Sequence, residues 1–111
     1  MDSNSRTVFV VYEDERKDFS KAEKFGTLKY VYPRSTRARH NGDKLIEHAR
    51  YILQNYQAGD HILMVGDPTL CAICASVALE YEEELIFLRW DNSSLDYAPL
   101  TLNFSFLEVA N

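Results

Sequence analysis

Cysteine is scarce in this chain: there are two, Cys71 and Cys74, three residues apart. So close a pair cannot staple a small secreted fold, so a disulfide framework is excluded and a reducing intracellular setting is expected. No second cysteine pair completes a zinc site, and His40, His48 and His61 could join one only through folding. Positive charge is also short. Twelve Lys and Arg face 17 Asp and Glu, a net charge of −5, so non-specific binding to nucleic acid is not expected. No apolar run approaches the length needed to span a membrane. The opening Met1-Asp2-Ser3-Asn4-Ser5 lacks the basic-then-apolar order of a signal peptide. Repeats, low-complexity tracts and linkers are missing, and no catalytic signature stands out. No cofactor is implied.

What is present is a strand–helix–strand unit over Asp60–Trp90. His61-Ile62-Leu63-Met64-Val65 is a short continuous apolar run, the mark of a strand buried on both faces. Gly66-Asp67-Pro68 ends it. Asp67 is a good N-cap and Pro68 suits the first helical position, so a helix is expected over Leu70–Tyr81. Leu85-Ile86-Phe87-Leu88 reads as the next buried strand. Upstream, Thr7–Tyr12 is β-branched and aromatic throughout, a central strand. Phe19–Phe25 fits a turn or two of helix closed by Gly26. Thr27–Tyr32 alternates more, which suits a sheet edge. After the polar loop Pro33–Gly42, an amphipathic helix is expected from Asp43 to Tyr56, with Leu45, Ile46, Ala49, Ile52 and Leu53 on one side. Asp91–Ser94 is turn chemistry, and a last strand over Pro99–Phe106 would close a hairpin, with Pro99 at its start.

At 46% hydrophobic and 13% aromatic residues the chain reads as ordered. Residues 1–6 form a short tail and 7–111 one domain. The order β-(α)-β-α-β-α-β-β predicts a small two- or three-layer α/β domain with a mainly parallel sheet and an antiparallel C-terminal edge strand. A ferredoxin-like arrangement is the runner-up.

Four features are candidates for function. Cys71-Ala72-Ile73-Cys74 is formally C-x-x-C, but Cys71 falls a full turn inside its helix among apolar neighbours, so two buried core thiols are expected rather than a redox pair. The turn Gly66-Asp67-Pro68-Thr69 opens a helix whose N–H groups at Gly66 and Thr69 could hold an anion. It lacks phosphate-loop spacing and has one glycine where dinucleotide folds use three. Asp67 also puts negative charge there, and with Glu13, Asp14 or Asp91 it could instead hold Mg²⁺. The loop carrying Arg34, Arg37, Arg39 and His40 is basic in an acidic protein. Its guanidinium forks suit phosphate or carboxylate groups, and it is the best site candidate. Lastly, the 70–81 helix is apolar nearly all round, so either the sheet and the 43–56 helix cover it or a second copy of the chain does.

The residues Val65-Gly66-Asp67-Pro68 opening a small-residue helix, then Leu88-Arg89-Trp90-Asp91, then Tyr97 and Pro99 resemble a pattern. It belongs to a group of short uncharacterised proteins of tailed bacteriophages and prophages. Val8-Phe9-Val10-Val11 and Phe25-Gly26 are also similar. The resemblance implies a phage accessory protein made in the host bacterial cytoplasm and carries no catalytic residue with it. The expected function is therefore non-enzymatic binding of a host or phage macromolecule, most readily a protein. The alternatives are a small-ligand or nucleotide-binding module using the 66–69 turn and the arginine loop, and a metal-dependent phosphotransfer or nuclease enzyme using Glu13, Asp14 and Asp67.

Overall fold

The computed structural model describes residues 5–36 and 41–105. Five strands and two α-helices follow in order: β1 (Thr7–Tyr12), β2 (Thr27–Tyr32), α1 (Gly42–Leu53), β3 (His61–Leu63), α2 (Pro68–Ala78), β4 (Glu84–Asp91) and β5 (Asp96–Asn103). A 3₁₀ stretch, Ser20–Phe25, joins β1 to β2. The strands form one sheet in the order β2-β1-β3-β4-β5. β2, β1, β3 and β4 are parallel, and β5 runs antiparallel to β4 as the second arm of a hairpin. This is the expected α/β domain. β1 lies inside the sheet and β2 at one edge, as their apolar patterns predict.

The layers follow from strand order. The path steps from β1 to β2 in one direction, then crosses back over β1 to β3 and β4 in the other. Parallel crossovers are right-handed, so a reversal of direction moves the connecting helices to the opposite face. α1 and α2 accordingly share one face, where Phe9, Val11, Val31 and Ile62 meet Leu53 and Val77 in the main core. The 3₁₀ stretch covers the other, where Phe19 and Ala22 pack on Val8, Val10, Leu63 and Leu88. The unbroken apolar run of β1 is thus two alternating half-cores.

Element ends differ from the sequence expectation for local reasons. α1 starts at Gly42 because Asn41 caps it, its side chain accepting from the Asp43 and Lys44 N–H groups at 2.9 and 3.3 Å. β3 stops at Leu63, although the Met64 N–H still donates to the Leu88 carbonyl at 3.1 Å. α2 begins at Pro68 and ends at Ala78, after which Glu80 and Tyr81 close tighter i→i−3 turns. The last strand begins at Asp96 rather than Pro99. Its proline is placed mid-strand, which the free sheet edge tolerates.

Candidate functional site

In an open parallel sheet the point where strand order reverses leaves a crevice beyond the strands' C-terminal ends. Here that point lies between β1 and β3. The chain leaves β1 through Tyr12-Glu13-Asp14-Glu15-Arg16, leaves β2 through Pro33 and Arg34, and leaves β3 through Gly66-Asp67.

These exits touch. The Glu13 N–H donates to the Tyr32 carbonyl at 3.0 Å, tying the first loop to the end of β2. The Tyr12 hydroxyl donates to the Arg34 carbonyl. Gly66 has φ +98°, and a Cβ there would sit 2.7 Å from the Tyr12 Cβ. Only glycine admits both that backbone conformation and that approach. The β1 and β3 exits are therefore in direct contact at Tyr12.

Among the described residues, charges at this edge pair with one another. Arg34 pairs with Glu15, and its Nη2 lies 3.8 Å from a Glu13 carboxylate oxygen. Asp14 is nearly buried and accepts from the Arg16 N–H at 3.0 Å, Nε at 3.1 Å and Nη2 at 3.2 Å. The Arg16 hydrogen bonds hold the Asp14 carboxyl below the usual carboxylate range and raise the guanidinium in turn. A concavity of about 170 Å³ is lined by Tyr12, Glu13, Asp14, Glu15, Arg16 and Arg34.

The sequence candidates are only partly united. Arg34 sits in this cluster, while Arg37, Arg39 and His40 lie outside the described residues. Gly66 reaches the cluster through Tyr12 but otherwise lines a groove along α2. Thr69 faces a different cleft, between α1 and α2. Asp67 caps α2, its side chain accepting from the Thr69 N–H at 2.7 Å. Among the described residues no three His, Cys, Asp or Glu side chains cluster to hold a metal ion. The expected alternative of a cation held by Glu13, Asp14 and Asp67 is thus not assembled. The first two face guanidinium groups and the third turns back on its own helix. Asp91, the other carboxylate considered, caps the hairpin turn through the Ser93 N–H at 3.0 Å and the Ser94 hydroxyl at 3.1 Å.

Cys74 is a core thiol, and Cys71 packs at the margin of the core. Cys74 is fully buried, which pushes its thiol up to about 12. Cys71 is half-buried, its thiol likewise raised by burial, and it donates to the Val65 carbonyl at 3.6 Å.

Sequence reading missed the opposite end of the sheet. There Asp60, 1% exposed, accepts from the Thr7 and Gln57 N–H groups at 2.9 and 3.0 Å. His61 is buried beside it, its ring 5.2 Å from that of Phe25, and its Nδ1 has no hydrogen-bond partner. An open pocket of about 630 Å³ lies next to them, lined by Arg6 and residues 23–28. The Thr7–Asp60 bond and the one from Arg6 to the Gly59 carbonyl each join partners 53 residues apart, so no local motif could announce them.

Fold and edge together define a small open-sheet α/β domain with its strand reversal between β1 and β3. The chain belongs to the Phage Pam3 gp32-like protein family, whose model matches residues 6–104. It is a bacteriophage-family protein, and no helix among its described residues is long and apolar enough to cross a membrane. No curated protein and no solved structure matches the chain.

Proposed function

We propose that the chain is a phage accessory protein that works without catalysis in the host cytoplasm. It binds a host or phage macromolecule, most readily a protein, through the C-terminal edge of its sheet. The size and charge of that edge carry the reading. A small-molecule site typically encloses about 300–1,000 Å³. Among the described residues the concavity at Arg34 holds about 170 Å³ and is half lined by carboxylates. It is too small and too acidic for a nucleotide, which ranks the small-ligand alternative lower. Exposed Arg34 with Glu13 and Glu15 instead offers both charge signs on a surface, as the rim of a macromolecular interface does. The neighbouring Arg37 and Arg39 add positive charge to the same loop.

The test is capture from infected-cell lysate with the tagged chain and with an Arg34→Ala/Arg37→Ala/Arg39→Ala variant. One macromolecule retained by the first and lost by the second is expected. Identical capture by both, or marked thermal stabilisation of the chain by a free nucleotide, would overturn the reading.

A further inference from the structure

We infer that the tip of the β4–β5 hairpin is an anchor for a protein partner, one whose surface offers an apolar pocket to Leu95 beside the exposed ring of Trp90. The inference rests on the reading of the C-terminal edge as a binding surface and deepens it. β4 runs parallel to β3, and β3 to β1, so the turn after Asp91 lies at that same edge. Leu95 is 59% exposed there. Its φ is +55°, and among the described residues it is the only one other than glycine with a positive φ. The turn closes on it, the Leu95 N–H donating to the Asp91 carbonyl at 2.8 Å. Glycine or asparagine takes that left-handed conformation at less cost. Leucine there is strained and wetted at once, and it joins neither half of the core. The use of its side chain therefore lies outside the chain.

The surroundings hold this tip ready. Lys21 donates to the Leu95 carbonyl at 2.7 Å, and the same ammonium lies 5.7 Å from the centre of the Trp90 ring. Trp90 is 44% exposed. Its ring meets Tyr97 edge-on with centroids 5.1 Å apart, and its Nε1–H donates to Asn92 at 3.0 Å. Lys24 ties the other arm to the 3₁₀ stretch through Asp96. A ring fixed in this way loses little freedom on binding, and tryptophan is enriched among the residues that dominate protein interfaces. Asn92, Ser93 and Ser94 supply a polar rim around the apolar anchor.

The chemistry of the tip selects a protein. The two lysines beside it are engaged by the Leu95 carbonyl and by Asp96. Arg89 belongs to the opposite face of the hairpin from Trp90. The turn itself carries the carboxylates of Asp91 and Asp96. Nucleic-acid phosphates and anionic lipid headgroups therefore meet negative charge here, and the leucine offers no ring for a base to stack on. A bilayer would also have to take in Ser93, Ser94 and Asp96 with the leucine. A second copy meeting the tip about a two-fold axis brings another projection instead of a pocket.

Trp90 is the only tryptophan of the chain, so the full chain labelled with fluorotryptophan carries one fluorine NMR line that reports on this site alone. Infected-cell lysate should shift or broaden that line. Lysate digested with a protease that is then inhibited, phosphatidylglycerol vesicles, a single-stranded oligonucleotide and a higher concentration of the chain itself should not. Leu95→Asn should melt higher than the parent, because asparagine tolerates the left-handed backbone. It should also need at least about tenfold more lysate for the same response, as loss of a dominant interface residue does. Leu95→Met keeps an apolar side chain and should respond like the parent. A line that lysate leaves unmoved, or that digested lysate, vesicles, oligonucleotide or self-concentration moves, overturns the proposal. A Leu95→Asn variant that melts lower or responds like the parent does so too. The Arg34→Ala/Arg37→Ala/Arg39→Ala variant separates the two readings. A response lost there but kept in Leu95→Asn removes the tip and leaves the edge, and the reverse supports the tip and removes the arginine loop.

Discussion

Single residues here are held by contacts that can be tested one at a time. Asp67 spends its carboxylate on the first turn of α2. Asp67→Ala should therefore cost about 1 kcal/mol, the usual worth of an N-cap, read as a lower urea midpoint with an unchanged slope. Gly66→Ala should cost more, about 1–3 kcal/mol, because the positive φ and the Tyr12 contact are both violated. His61 gives the fold an acid-sensitive group. Burial, then the nearby Arg6 charge, lower its pKa from the ordinary value. A lowered pKa means the unfolded chain takes up the proton first. Stability from this group is then complete above about pH 6.5 and is lost as pH falls through the folded-state value. His61→Leu should flatten that loss. Between about pH 7.5 and about pH 5 the urea midpoint of the parent should fall relative to that of the variant, because only the parent loses stability from this group. Carboxylates such as Asp14, held low by Arg16, titrate further down and do not interfere.

Helices and strands were the legible level of the sequence, where burial writes a period. The amphipathic period of α1 and the apolar runs of β1 and β4 announced their elements, and Asp67-Pro68 announced the start of α2. Ends were less legible, since they depend on which side chain takes the cap. Asn41 caps α1 and starts it at Gly42, one residue before the expected Asp43. Pro99 reads as a strand start but sits mid-strand opposite Leu88, a position set by the pairing across the hairpin. For Cys71-Ala72-Ile73-Cys74 the apolar surround outweighed the motif. Cys74 is 0% exposed, so Cys74→Ser buries a hydroxyl and should cost about 1–3 kcal/mol. Its thiol in the native chain should react with a thiol reagent only as fast as the fold opens, with Cys71 reacting sooner. A rapid reaction of Cys74 in the folded protein would contradict its placement in the core.

At the scale of the molecule, strand order decides where function can sit, and it was only partly readable. The β-α alternation predicted a parallel sheet, and the reversal between β1 and β3 then brought Tyr12, Arg34 and Gly66 to one edge. Their pairing was not readable, because ion pairs such as Arg34 with Glu15 form across loops whose approach no local pattern encodes. Exposed pairs of this kind contribute about 0–1 kcal/mol, so the edge is free to serve binding rather than stability. The direct measurement is a salt series on the triple variant Arg34→Ala/Arg37→Ala/Arg39→Ala. Its melting temperature should stay close to that of the parent. Its affinity for the captured macromolecule should fall at low salt, and the difference should shrink as salt screens exposed charge. A large drop in melting temperature with affinity unchanged at every salt concentration would show the arginine loop to be structural, and would contradict the account.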